Sequence, residues 1–170
     1  MNLHDRYAVL NEQRRVELRP DEYDDEVTVE IRVQPPTVWE WINDPRRRNE
    51  ANVEDGVNWS ARRRPGGRTA VGATNHCDHG GGTADEQILD WKPFEYYSSS
   101  FKSGPLRLIM TWELQAIPDG TRLTWRGKVE QKMPRFLARL IMKKGVKGDV
   151  ILGKIKSAIE TDVATAEGKV

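Results

Sequence analysis

Apolar and polar residues alternate along most of the chain, with the two-residue period of strands that bury one face. Proline or glycine ends nearly every alternating segment. The clearest two segments flank Asp119-Gly120, a pair typical of tight turns, and predict a hairpin. The predicted strands are 27–33, 53–62, 68–76, 83–91, 94–103, 106–115 and 121–130.

The alternation is interrupted in two places, and both interruptions predict helices. Pro35-Pro36 ends the first strand, and short helical segments are predicted over 37–42 and 46–51. Beyond Pro134 apolar residues recur every four positions, which predicts a long helix over Arg135–Val163. This helix contains Gly145, Gly148 and Gly153, so we expect it to bend or to have a neighbour close to its backbone.

The order of elements predicts an α+β domain over 25–168, preceded by a polar N-terminal tail (1–24) with a short helix at 5–16. Seven antiparallel strands with one dry face need a cover, and only the C-terminal helix is long enough to provide it. A strongly twisted sheet cannot touch a straight helix along its whole length. The gap between them must be filled by side chains or by a ligand.

Composition narrows the classes of function. A chain of 170 residues has the size of one domain. Its net charge of +1 argues against a dedicated nucleic-acid partner, and its single cysteine excludes an internal disulfide framework. The first residues lack an apolar signal core and no apolar run approaches the length of a membrane span, so we expect a cytoplasmic protein without stable membrane insertion. No cofactor motif is present.

Several short motifs occur in a characteristic order. The first strand leads through Pro35-Pro36 into Val38-Trp39, and Asp44-Pro45 follows; later come Trp91-Lys92-Pro93 and Gly120-Thr121-Arg122-Leu123-Thr124-Trp125. In this order they resemble the SRPBCC superfamily, also called START-like or birch-pollen-allergen-like, and a polyketide cyclase/dehydrase-like member of it. The resemblance implies the helix-grip fold, a curved seven-stranded antiparallel sheet around a long C-terminal helix with two short helices after strand 1.

The resemblance implies several functions, because this fold hosts lipid carriers, hormone receptors, polyketide aromatase/cyclases and co-chaperones. Residues 75–80 and 90–94 are also similar to relatives found beside nucleotide-cyclase domains. That similarity implies a regulatory or partner-binding module acting with a signalling enzyme such as a nucleotide cyclase. A protein partner or a homodimer is a separate alternative. An aromatase/cyclase would need polar groups for proton transfer, for which His76, Tyr96 and Arg68 are the candidates.

The residues themselves favour binding of a hydrophobic or amphipathic small molecule, such as a lipid, a polyketide or an aromatic metabolite. Alternation places several large aromatic residues on the dry face, where indole and phenol groups add a few fixed hydrogen bonds to an apolar surface. The alternative is a fully packed core. The predicted lining is Trp59, His76, Tyr96, Met110, Trp112, Trp125, Ile151 and Ile155.

Two further features have both a functional and an ordinary interpretation. The run His76-Cys77-Asp78-His79 contains only metal-ligand types, but no second ligand pair exists, so we predict no metal and leave open a polar role at a pocket rim or packing at a strand end. The stretch 128–156 carries nine Lys or Arg against Glu130 and Asp149. It could face anionic lipid or nucleic acid, but a solvated helix face is the commoner explanation.

Overall fold

In the computed structural model, which describes residues 16–19, 21–79 and 82–168, the chain forms a sheet, two short helices and a broken C-terminal helix. The strands are β1 (Asp25–Ile31), β2 (Asn58–Arg63), β3 (Thr74–Asp78), β4 (Thr83–Lys92), β5 (Tyr96–Ser103), β6 (Leu106–Ile117) and β7 (Gly120–Val129). The helices are α1 (Pro35–Asn43), α2 (Pro45–Glu50), α3 (Arg135–Ile141) and α4 (Gly148–Glu167). The helix expected over 5–16 falls, but for its last residue, outside the described ranges.

The seven strands form one curved antiparallel sheet in the order β1-β7-β6-β5-β4-β3-β2. The β6–β7 pair is the predicted hairpin, with Ile117 opposite Gly120 at its turn and Trp112 opposite Trp125 near its middle. Because β1 pairs with β7, the first strand of the sequence lies beside the last one. The helix-grip architecture expected from the sequence is confirmed.

Two strands are shorter than predicted because turns replace their first residues. Asn52 and Gly56 both have positive φ, so the chain turns twice before β2 begins at Asn58. Gly72, with φ +83°, ends a second loop just before β3 begins at Thr74. Alternating polarity in these segments therefore reflects a winding loop with one buried side rather than an extended strand.

The C-terminal helix is broken into two parts. After α3 the chain makes one wide π-type turn over Met142–Val146, and Lys147 then adopts the left-handed conformation, with φ +56°. A β-carbon on Gly148, where α4 begins, would lie 2.4 Å from a ring carbon of Trp125. The long C-terminal helix predicted over 135–163 is present with one interruption, and both expected consequences of its glycines, a bend and a close neighbour, occur at this break.

Part of the predicted N-terminal tail lies on the outer face of the sheet. Leu18 is buried there, and its N–H donates to the Thr111 hydroxyl of β6 at 3.1 Å. The Val16 N–H donates to the Asp90 carboxylate of β4 at 2.9 Å. Residues 16–19 therefore cover strand positions that would otherwise face water.

The inner face packs against α1 and α4. Aromatic rings form a continuous row along it, with Trp39 of α1 in contact with Tyr97 (6.0 Å between ring centres), Tyr97 stacked on Trp112 (6.1 Å) and Trp112 against Trp125 (6.5 Å). Such ring pairs stabilise a core by about 0.5–1.5 kcal/mol each beyond the area they bury. No helix in the described ranges combines the length and the apolar character needed to span a bilayer.

Candidate functional site

A cavity of about 260 Å³ separates one end of the inner face from the broken C-terminal helix. Strands β2, β5, β6 and β7 form one wall, and the π-type turn and the first half of α4 form the other. Most of the side chains that line the cavity, on both walls, are apolar. The apolar lining is Val53, Trp59, Phe101, Leu106, Leu108, Met110, Trp112, Trp125, Ile141, Val146, Ile151 and Ile155.

The size of the cavity limits what it can hold. At roughly 30 Å³ for each water-sized group, it holds about nine such groups, close to the size of two fused six-membered rings. Pockets for drug-sized ligands begin at about 300 Å³. In this conformation the cavity therefore fits a small molecule and is too small for a diacyl lipid.

Two hydrogen-bond donors on this wall have no acceptor. The indole N–H groups of Trp59 and Trp112 are buried and make no hydrogen bond, and each residue as a whole is only 6% exposed. A buried donor without a partner costs about 1–3 kcal/mol. Both rings line the cavity, but the two nitrogens have almost no accessible surface, so an acceptor on a bound molecule would reach them only after a small rotation of the rings.

A buried ion pair forms the polar end of the cavity. Arg48 of α2 and Glu86 of β4 are 5% and 1% exposed, and Arg48 Nη1 donates to Glu86 Oε2 at 2.8 Å. The guanidinium also donates to the Ile42 carbonyl from Nε (2.8 Å) and to the Tyr97 hydroxyl from Nη2 (2.7 Å), and it lies 4.6 Å from the centre of the Trp59 ring. The pair thus joins α2, α1 and three strands.

Further hydrogen bonds keep Glu86 ionised. Burial alone would raise the pKa of Glu86, but the charge of Arg48 and hydrogen bonds from Arg48, Asn75 Nδ2 (2.8 Å) and Ser99 Oγ (3.0 Å) lower it. Burial alone would lower the pKa of Arg48, and the attraction of Glu86 outweighs it. The pair is a fixed dipole at the cavity wall, with every carboxylate oxygen already accepting a hydrogen bond.

Three titratable side chains lie together at the edge of the cavity. Glu54, in the loop after α2, and His79, just after β3, both line it, with 3.8 Å between Glu54 Oε2 and His79 Nδ1. The other ring nitrogen of His79 lies 3.0 Å from Cys77 Sγ. Burial raises the pKa of Glu54 and raises that of the Cys77 thiol to about 12. The thiol is therefore a poor nucleophile, whereas the Glu54–His79 pair could exchange a proton with a ligand.

Six of the eight predicted lining residues lie on the cavity, and alternation explains why. The inward positions of β6 and β7 are those that the pattern assigned to the dry face, and the spacing of four on α4 places its apolar stripe opposite them. The six are Trp59, Met110, Trp112, Trp125, Ile151 and Ile155.

His76 and Tyr96 do not lie on the cavity, which corrects that expectation. In β3 it is Cys77 that points inward, so His76 faces outward and its Nδ1 lies 2.8 Å from Asp85 Oδ1. In β5 it is Tyr97 that points inward, and the Tyr96 hydroxyl donates to Asp90 Oδ2 at 3.1 Å. Arg68, the third candidate for proton transfer, is exposed in the loop before β3. None of the three can reach a molecule in the cavity.

Of the polar residues that reach the cavity, Arg48, Glu54 and Glu86 were missed from the sequence, whereas His79 belongs to the run for which a role at a pocket rim was left open. Glu86 had a detectable signal, since it occupies the dry-face position between Ala84 and Ile88, where a charge requires a buried partner. Arg48, Glu54 and His79 lie in a short helix and two loops, where no periodicity fixes the direction of a side chain. Among the described residues, no three His, Cys, Asp or Glu side chains are arranged to hold a metal ion.

Solved structures with this architecture come from several bacteria. DynU16, described as a putative protein in the dynemicin biosynthetic locus, is 20% identical with a TM-score of 0.63, over 84% of this chain and 49% of that one. Protein MLL2253 of Mesorhizobium loti gives the same identity and TM-score over 81% and 96%. CalU16 of Micromonospora echinospora is 15% identical, with a TM-score of 0.58, over 85% and 80%. At these identities the likeness concerns the fold.

Sequence comparison finds relatives in mycobacteria that are described as uncharacterized proteins. The uncharacterized protein Rv2574 of Mycobacterium tuberculosis is 30% identical over 104 residues, which span 58% of this chain and 60% of that protein. The uncharacterized protein Mb2604 of Mycobacterium bovis gives the same 30% identity over the same shares of the two chains. The model of the family described as polyketide cyclase / dehydrase and lipid transport matches residues 25–160, from β1 into α4. The chain therefore belongs to the polyketide cyclase / dehydrase and lipid transport family.

Proposed function

We propose that the cavity binds a small, mostly apolar molecule of about two fused rings that carries a hydrogen-bond acceptor. The observation that carries this proposal is the pair of unpartnered indole N–H groups, of Trp59 and Trp112, on an otherwise apolar wall. Apolar area removed from water would supply most of the affinity, at about 25 cal/mol per Å². The two donors would fix the orientation of the ligand and discriminate against molecules that lack an acceptor.

The proposal narrows the three ligand classes that the sequence allowed. A cavity of about 260 Å³ favours an aromatic metabolite or a short cyclised polyketide over a lipid with long acyl chains. The fixed charges do not change this preference, because Arg48 and Glu86 neutralise each other and their hydrogen bonds are already made within the protein.

A matched pair of probes tests the proposal. 1-Tetralone has two fused rings and one carbonyl acceptor, and tetralin has the same rings without the acceptor. Titration followed by tryptophan fluorescence or calorimetry should show saturable binding of 1-tetralone and weaker binding of tetralin. Extraction of the denatured, freshly purified protein should release a compound of similar size. Absence of binding by both probes, with nothing released, would contradict the proposal.

Substitution of the donor sharpens the test. Trp112→Phe keeps an aromatic ring against Tyr97 but removes the N–H, so 1-tetralone affinity should fall about three- to tenfold, the value of one hydrogen bond. Tetralin affinity should change little. Trp39→Phe is the matched control, because Trp39 is equally buried but lies on α1 away from the cavity.

A second candidate function is supported by the Glu54–His79 pair. In a dehydration, the His79 imidazole would take the proton next to a carbonyl, and the protonated Glu54 carboxyl would protonate the departing β-hydroxyl, so that the substrate loses one water. The two side chains, 3.8 Å apart, could then exchange the proton and restore the starting state. The raised pKa of Glu54, caused by burial, favours its acid form. This is the chemistry of an aromatase-like enzyme.

The second function has a separate test. 3-Hydroxy-1-tetralone loses water to give fluorescent 1-naphthol, so turnover can be followed directly. The enzyme hypothesis predicts accelerated dehydration that Glu54→Gln abolishes while 1-tetralone still binds. Binding without any acceleration would leave the protein a carrier or sensor and contradict the catalytic role.

A further inference from the structure

Exposed apolar side chains cluster on one face of α3. Phe136 is 74% exposed, Leu140 52% and Leu137 38%, whereas Ala138 on the opposite face is 4% exposed. Residues three and four apart share a face of a helix, so Phe136, Leu137 and Leu140 form one surface. Large apolar side chains grouped in this way on a small domain mark an interaction surface.

Cations surround this surface. Between residues 131 and 148 the sequence has no Asp or Glu, and in the described part of the chain none of the basic residues of this segment forms an ion pair within 4 Å. Lys143 and Lys144 are exposed in the π-type turn that follows α3. The carboxylates nearest in sequence are Glu130 and Asp149, at its two ends. The basic residues are Lys132, Arg135, Arg139, Lys143, Lys144 and Lys147.

We propose that this face, the α3 patch (Phe136, Leu137, Leu140, Lys143 and Lys144), docks on an anionic lipid surface. An interfacial helix buries aromatic and leucine side chains at the boundary of headgroups and acyl chains, while lysine and arginine meet the lipid phosphates. Charge complementarity selects anionic over neutral lipid, because each cation near such a surface raises partitioning about fivefold. This assignment does not depend on what the cavity binds.

The composition of the patch favours lipid over nucleic acid. A nucleic-acid surface is recognised by cations and hydrogen-bonding side chains, and two exposed leucines offer neither. The chain as a whole carries a net charge of only +1, so its positive charge is local rather than general. A bilayer surface binds both the apolar side chains and the cations of the α3 patch.

Docking would place the cavity wall at the bilayer surface. Ile141, Gly145 and Val146 line the cavity, and they belong to the same stretch as the exposed residues of the α3 patch. A molecule that partitions into the membrane would therefore meet the cavity at its more irregular wall, where the helix is interrupted at Lys147.

Vesicle co-sedimentation tests the proposal. The full chain should sediment with vesicles of phosphatidylcholine and phosphatidylglycerol in equal parts, and should stay in the supernatant with phosphatidylcholine alone. The double variant Phe136→Ser/Leu140→Ser should lose about tenfold or more in partitioning. Its control is Val71→Ser, at a residue that is 54% exposed on the loop before β3.

A charge variant tests the contribution of the cations to vesicle binding. Lys143→Glu/Lys144→Glu should also lose about tenfold or more, since each cation contributes about fivefold. Arg62→Glu/Arg63→Glu, two neighbouring exposed residues of β2, make the same charge change elsewhere and should bind like the wild type. Circular dichroism verifies the fold of each variant, and if a double variant unfolds, the single change Phe136→Ser carries the test.

Three outcomes would overturn the proposal: no sedimentation with the mixed vesicles, equal binding to neutral vesicles, or binding that both patch variants retain. Binding to duplex DNA that Lys143→Glu/Lys144→Glu abolishes and Phe136→Ser/Leu140→Ser leaves intact, without vesicle binding, would assign the patch to nucleic acid instead.

Discussion

The two ends of the inner face are filled differently. At the end under α1, Tyr97 of β5, Leu114 of β6 and Leu123 of β7 are almost fully buried, with Leu114 opposite Leu123 and Tyr97 against Trp39 of the helix. At the other end, the inward residues of β5 and β6, Phe101, Leu108 and Met110, face a cavity. The same alternation of apolar and polar residues therefore produces a packed core at one end and a cavity large enough for a small molecule at the other.

The difference arises from what covers each end. Helix α1 follows β1 directly and delivers Trp39 onto the rings of Trp91 and Tyr97. At the far end the covering chain is the π-type turn, and Gly148 lets it approach Trp125 there without filling the space beside that ring. The Arg48–Glu86 pair lies at the boundary, bonded to the packed end and exposed to the cavity.

Breaking the boundary pair should have the largest effect. Arg48→Met leaves the Glu86 carboxylate buried without its cation, and removing one partner of a buried ion pair costs about 3–5 kcal/mol. Urea unfolding should show this loss, whereas Arg47→Met, which breaks an exposed pair with Glu50, should cost no more than about 0.5 kcal/mol. The double variant Arg48→Met/Glu86→Leu should recover much of the loss. Equal stability of Arg48→Met and wild type would show that the pair has no structural role.

The second largest effect concerns two glycines of α4, Gly148 and Gly153. In Gly148→Ala the new methyl group would collide with the Trp125 ring, and overpacking of this kind costs about 1–3 kcal/mol. Gly153, one turn and a half later in α4, has open space around it, so Gly153→Ala should stabilise the protein by about 0.5–1 kcal/mol. Thermal unfolding should therefore shift in opposite directions, and shifts of the same sign would contradict the close approach at Gly148.

The smallest effect is a pair of opposite pH dependences. The pKa of Glu86 is lowered in the fold, so its contribution to stability is complete above the ordinary glutamate pKa and is lost as the pH falls below it. The pKa of Glu54 is raised by burial, so its ionised form is penalised at neutral pH and the penalty disappears as the pH falls. Glu54→Gln should therefore gain slightly at pH 7, and Arg48→Met/Glu86→Leu should lose less stability on acidification than the wild type. Parallel profiles of unfolding free energy against pH would contradict both assignments.

The sequence predicts the inward positions of the β6–β7 hairpin better than those of β3 and β5. Alternation in β6 and β7 is regular enough to identify Met110, Trp112 and Trp125 as inward residues, and the hairpin turn fixes their register. No such regularity exists at Asn75-His76-Cys77, where only the pairing of Cys77 with Trp59 and Ala84 decides which residue points inward. The adjacent tyrosines 96 and 97 present the same ambiguity, which the pairing of Tyr97 with Trp112 resolves.

The cavity itself depends on tertiary packing. Its polar edge consists of Arg48, Glu54 and His79, which three separate segments bring together, and no local pattern predicts that meeting. The glycines of the C-terminal helix indicated that it would bend. The position of the break at Lys147 depends on the Trp125 ring, against which Gly148 packs. Sequence patterns thus specify the walls of the site, and packing specifies its volume.

The most direct test is an NMR titration of the tryptophan indole N–H groups with 1-tetralone. The six tryptophans give six indole resonances, which single Trp→Phe variants assign. A ligand that fills the cavity should move the Trp59 and Trp112 resonances downfield as they gain an acceptor, and should leave those of Trp39 and Trp91 at the packed end nearly unchanged. Unmoved Trp59 and Trp112 resonances, or shifts equal to those that tetralin causes, would contradict the account.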